Sequence, residues 1–153
     1  MTICHRAATK DEADRQFIVA TWSSSFKKSH SAGIIQADDW ATLMHPQIEK
    51  VLNRPDARAI IAYEKDDPNF FYGFIAGDTS DATPVLFYVY TKEAYRRTGI
   101  ARGLFAAFGV DPSKHFVYVC RTGVVAKLSS KIPYARFNNN EARYSKEQRR
   151  HPL

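Results

Sequence analysis

The sequence predicts a single α/β domain of the mixed α+β kind, in which a buried central strand passes through a glycine turn into a helix. Three observations carry this expectation. Apolar residues recur at helical spacing early in the chain and as short continuous runs after residue 57. Residues 85–90, Val-Leu-Phe-Tyr-Val-Tyr, are apolar throughout, as suits a strand covered on both faces. Arg96-Arg97-Thr98-Gly99-Ile100-Ala101 follows closely and opens a new helical pattern. With 153 residues, 44% of them hydrophobic, the chain can bury one core.

Residues 2–7 suit a short first strand. Thr9 and Glu12 have the spacing of a capping box and open a helix over about residues 10–27, with Ala13, Phe17 and Ala20 on its inner face. Trp40, Leu43, Met44, Ile48, Val51 and Leu52 mark a second helix, bent or restarted near Pro46. Residues 59–63 and 70–76 form an antiparallel hairpin around the turn formers Asp66, Asp67, Pro68 and Asn69. Asp78, Thr79, Ser80 and Asp81 then turn the chain into the central strand. Ile100, Leu104, Phe105 and Phe108 line one side of the next helix, which ends near Gly109 and Pro112, and residues 116–120 read as a strand. The expected order is β-α-α-β-β-β-α-β, with a short helix around residues 123–131. Residues 1–137 constitute the domain and 138–153 a polar, basic tail.

Lys and Arg number 22 against 16 Asp and Glu, a net charge of +6. Such a surface favours an anionic partner, whether a phosphorylated cofactor, a nucleic acid or an acidic protein face. Cys4 and Cys120 are too few and too far apart for a disulfide framework or a zinc cluster, and His5, His30, His45, His115 and His151 show no metal-ligand spacing, so no metal is expected. No run approaches the roughly 20 apolar residues of a membrane span, and residues 1–6 lack the apolar core of a signal peptide, so a soluble, cytoplasmic protein with no membrane partner is expected.

A glycine between a buried strand and a helix lets unpaired backbone amides converge on a phosphate without side-chain obstruction, and the helix dipole favours the anion. Arg96, Arg97 and Arg102 add charge-assisted donors around that turn.

At these residues the chain resembles the GNAT acyltransferases, whose acyl-CoA signature is Gln or Arg, two residues, Gly, one residue, then Gly or Ala; residues 96–101 fit it completely. The resemblance implies a GNAT-type fold, with amides of Arg97, Thr98, Gly99, Ile100, Ala101 and Arg102 holding the pyrophosphate of acetyl-CoA. It also implies that the backbone near Val89 and Tyr90 pairs with the pantetheine arm. Acetyl transfer would then proceed by direct attack of an amine, needing proximity, carbonyl polarisation and a proton donor for the thiolate. Tyr134, in Tyr134-Ala135-Arg136-Phe137, is similar to the family's late tyrosine and is the expected donor. No carboxylate lies on residues 85–90; Glu64, Asp78 and Glu93 sit toward strand ends, so no general base is assigned.

Trp22-Ser23-Ser24-Ser25 falls where the family places part of its acceptor channel. The family's closing strands have no clear counterpart in residues 138–153, which implies an abbreviated C-terminal half, or one completed by a second copy or another protein. A shortened half could lose a small-molecule pocket and leave room for a large acceptor such as a protein terminus, a lysine or a nucleobase; the acceptor amine, of a protein, a small molecule or a nucleobase, stays open. The compact plan also resembles small phage-encoded GNAT-like proteins, which would act in the host cytoplasm; a noncatalytic role in a phage particle or regulatory complex is the alternative. Arg143, Lys146, Arg149 and Arg150 with Tyr144 could track a phosphate backbone or form a solvated tail.

Overall fold

The structure, a computed structural model, describes residues 1–29, 37–111, 114, 116–118 and 135–137. Six strands form one mixed sheet in chain order: β1 (Ile3–Ala7), β2 (Ala57–Glu64), β3 (Asp67–Asp78), β4 (Val85–Thr91), β5 (Phe116–Tyr118) and β6 (Ala135–Phe137). The pairs β1–β2, β2–β3 and β3–β4 are antiparallel, whereas β4–β5 and β5–β6 are parallel. Helices α1 (Glu12–Ser29) and α2 (Ala37–Leu52) pack on one face; α3 (Ile100–Phe108), the crossover between β4 and β5, packs on the other.

β4 is the central strand expected from its composition, since six of its seven residues are buried and Tyr90 is half-buried. On the α1 side Ile18, Val19, Trp22, Ile48 and Leu52 meet Phe74, Phe87 and Tyr88; on the α3 side Ile100, Leu104, Phe105 and Phe108 meet Ile75, Leu86 and Val89. Each side chain of this kind contributes about 1.5–3 kcal/mol on full burial.

Four expectations change. α1 does not bury Ala13 and Ala20, which are exposed, and Phe17 is only half-buried; its inner face is Asp14, Ile18, Val19, Trp22 and Ser23. The phase shifts because Asp14 is a buried ion-pair partner rather than a surface acid. Glu12 does not close the capping box either: Asp14 Oδ2 accepts from Thr9 N–H at 2.8 Å and from its hydroxyl at 3.0 Å. α2 is not restarted at Pro46 but continues through it as one helix. Finally, residues 135–137 form a strand against β5, which no local pattern announced. The expected helix at residues 123–131, Cys120, Tyr134 and the basic tail lie outside the described residues.

Asp14 ties α1 to β1. Both its carboxylate oxygens accept from the Arg6 guanidinium at 2.7 Å, and only 4% of its side chain is exposed. The Arg6 hydrogen bonds, reinforced by Thr9, hold its pKa down from 3.8 to about 2. A depressed carboxylate pKa gives stability that is fully present above the unfolded value and is lost as pH falls through about 2. The shift corresponds to about 2 kcal/mol. Asp14→Asn, which strands the Arg6 charge, is expected to cost about 3 kcal/mol at pH 7 in urea denaturation, and the gap from wild type should narrow toward pH 2. A gap independent of pH would contradict this assignment.

Candidate functional site

The site is built at the C-terminal end of β4. Register fixes which backbone groups are available there. Lys92 N–H donates to Tyr72 C=O at 2.8 Å, so alternation along the antiparallel pair makes Tyr90–Phe74 a hydrogen-bonded pair, and Thr91–Gly73 and Val89–Ile75 non-bonded ones. The amide and carbonyl of Val89 therefore turn away from β3, toward the β5 side, while those of Tyr90 are engaged with β3. Of the two expected residues, Val89 is the one whose backbone faces outward. β5 pairs with β4 only at Val85–Val117 and Leu86–Tyr118 among the described residues.

Phe87 has no partner in β3, because Ala76 faces Tyr88 and Gly77 faces Leu86. This bulge sends both Phe87 and Tyr88 to the α1 and α2 face, whereas Leu86 and Val89 pack toward α3.

A short 3-10 turn, Glu93–Tyr95, lengthens the link to the glycine motif. Arg96 then anchors the turn by donating from Nε to Thr91 C=O at 3.2 Å. Arg97 and Gly99 both occupy the left-handed region, at φ 67° and 86°. Glycine takes this conformation without steric cost, whereas Arg97 carries strain. Gly99 caps α3, whose first backbone bond runs from Gly103 N–H to Gly99 C=O at 3.0 Å. The backbone amides of Arg97, Thr98, Gly99, Ile100, Ala101 and Arg102 thus have no hydrogen-bond partner among the described residues. Arg97, Thr98, Gly99 and Arg102 are exposed, while the Ile100 side chain is buried and anchors α3. Consecutive free amides at a helix N-terminus, flanked by left-handed residues, make a concavity suited to an anion. No Asp or Glu pairs with Arg97 or Arg102 among the described residues.

On the α1 face the Trp22 and Tyr88 rings stack at 5.0 Å and 17°. Ser25 Oγ lies 2.6 Å from Tyr88 Oη. Ser23 is buried and Ser24 exposed.

The acids considered from the sequence do not gather at this site. Glu64 is held below the usual carboxylate range chiefly by Thr2 N–H, at 3.0 Å, and also by Tyr72 Oη, at 3.1 Å. Asp78 is buried at the opposite end of β3 and accepts from Ser80 N–H at 2.8 Å. Glu93 is exposed in the 3-10 turn. Among the described residues no group of three His, Cys, Asp or Glu side chains could hold a metal ion, and no helix is long and apolar enough to cross a membrane.

No protein-family model matches the chain, and no curated protein matches it in sequence. The fold, by contrast, is found repeatedly among solved structures. A Clostridium acetobutylicum protein described as a predicted acetyltransferase, solved with acetyl-CoA, is 16% identical, with 99% of this chain and 100% of that one covered at a TM-score of 0.61. The PaiA N-acetyltransferase of Thermoplasma acidophilum, solved with coenzyme A, is 17% identical over 90% and 79% of the two chains, at a TM-score of 0.51. A GNAT-family protein from Desulfovibrio desulfuricans is 16% identical over 70% of this chain; there the match spans only 63% of the other chain's length, at a TM-score of 0.44. This chain has the fold of the GNAT N-acyltransferases.

Proposed function

We propose that the chain is an acetyl-CoA-dependent N-acetyltransferase acting on an amine of a protein, a small molecule or a nucleobase. The observation that carries this reading is the run of unpartnered amides from Arg97 to Arg102 at the start of α3. These amides would hold the pyrophosphate, with Arg97 and Arg102 adding charge, and the outward backbone of Val89 would pair with the pantetheine amides. Acetyl-CoA supplies the activated acyl group. The GNAT fold and the coenzyme seen in the Clostridium and Thermoplasma proteins support the same reading.

The protein's own task is then to orient, to hold an amine near the β4–β5 side, and to provide a proton to the departing sulfur. Tyr134 is the proposed donor, and Tyr134→Phe is expected to lower turnover while leaving acetyl-CoA affinity unchanged. Unchanged turnover would retire it. Isothermal titration of the purified protein with acetyl-CoA tests the reading as a whole; absence of heat at millimolar ligand would overturn it.

A noncatalytic GNAT-fold binding protein is the second reading, favoured by the lack of any carboxylate on β4. It predicts coenzyme binding without acyl loss in the presence of amines.

A further inference from the structure

A cavity of about 300 Å³ lies among α1, the loop before it, the end of α2 and the start of β2. Ala57, on its wall, faces Asp78 in β3, and Asp78 faces Val85, the first residue of β4. The glycine turn follows Thr91, at the other end of β4, and α3 covers the other face of the sheet. The cavity is therefore separate from the coenzyme cradle in both direction and face. Its volume stands at the small end of ligand sites, which span roughly 300–1,000 Å³.

Its lining joins two chemistries. Ala8, Ile18, Leu52 and Pro55 make an apolar wall, while Lys10, Arg15 and Arg54 bring positive charge, and no Asp or Glu lines it among the described residues. Two of the cations are held in place by neighbours. Arg15 Nη1 lies 3.3 Å from Glu49 Oε2, and its Nη2 donates to Asn53 Oδ1 at 3.1 Å. These contacts orient the guanidinium and leave its other N–H groups for a further acceptor. Arg54 is half-buried, with its guanidinium 5.8 Å from the Phe87 ring. Lys10 is exposed. Asp14, bonded to Thr9 of the lining, is neutralised by Arg6, and Glu49 balances one of the three cations. Arg58 also borders the cavity, but its guanidinium stands over the Phe108 ring at 5.0 Å, on the α3 face.

We propose that this cavity is a second binding site, for a small organic anion: a phosphate monoester or a carboxylate whose apolar body packs on Ala8, Ile18, Leu52 and Pro55. Guanidinium forks match the oxygens of both head groups, and partial burial strengthens such charge-assisted bonds. The site requires no acetyl-CoA and stands whether or not the chain transfers acetyl groups.

The test titrates phenyl phosphate, benzoate and inorganic phosphate into ¹⁵N-labelled full-length protein. Phenyl phosphate, benzoate or both should move the amides of Ala8, Thr9, Lys10, Asn53 and Arg54, and the one that binds tighter names the head group. Inorganic phosphate, which has no apolar body, should bind more weakly. Arg15→Gln is expected to lower the affinity about tenfold, the loss of a charge-assisted hydrogen bond. Lys10→Gln, at an exposed position, should lower it about threefold. Shifts confined to Arg97 through Arg102 would overturn the proposal, because the probes would then occupy the coenzyme cradle alone. No shift with either organic probe, or inorganic phosphate binding as tightly as both, would overturn it too. So would wild-type affinity in Arg15→Gln; if that variant fails to fold, wild-type affinity in Lys10→Gln decides against the site.

Discussion

Gly73→Ala is expected to be the most damaging single substitution in the sheet. A Cβ at residue 73 would stand 2.2 Å from the backbone oxygen of Tyr90 and 3.1 Å from Cα of Thr91. Neither is the end of a flexible side chain, so β3 and β4 must separate. That separation breaks the pairing that turns Val89 outward, and it disturbs the buried ring of Phe74 next in sequence. The cost is expected to be about 3 kcal/mol or more, in the upper range for overpacking a core. Urea denaturation measures it directly, and a loss below about 1 kcal/mol would show that the strands are less tightly coupled than their register requires.

The second large effect falls on ligand binding rather than on folding. Gly99 has φ 86° and nothing within 4 Å of where a Cβ would be, so a side chain there meets no clash but forces a disfavoured backbone conformation. A β-branched residue is the least tolerant of it. Gly99→Val is therefore expected to leave the exposed turn folded but relaxed, with its amides no longer convergent. At a strain of about 1–3 kcal/mol, acetyl-CoA affinity should fall roughly five- to 150-fold, with little change in Tm. Gly99→Asn should lose less, because asparagine tolerates the left-handed region. Equal losses for the two variants would mean that side-chain bulk, not backbone angle, decides binding.

Much of this architecture was legible in residue patterns. The apolar run of β4 and the periodic Ile100, Leu104, Phe105 and Phe108 announced a buried strand and an amphipathic helix, because local spacing alone reports which faces are covered. The glycine motif between them located the free amides. What stayed hidden depends on partners distant in sequence. Asp14 is buried only because Arg6 of β1 meets it, so reading small apolar residues set the phase of α1 wrongly. β6 is three residues long and exists through pairing with Phe116–Tyr118, which leaves no period to detect. The bulge at Phe87 likewise follows from register against β3, and with it the placement of Tyr88 beside Ser25. Ser25 itself stood in a stretch marked from the sequence, yet only the fold supplied its partner.

The central claim is that the amides opening α3 bind the phosphates of an acyl-CoA. Titrating acetyl-CoA into ¹⁵N-labelled protein and following backbone amide resonances tests this most directly. The account predicts that the amides of Arg97, Thr98, Gly99, Ile100, Ala101 and Arg102 move together and by the largest amounts, with Val89 following them. Binding that shifts other amides while leaving these six in place would contradict it.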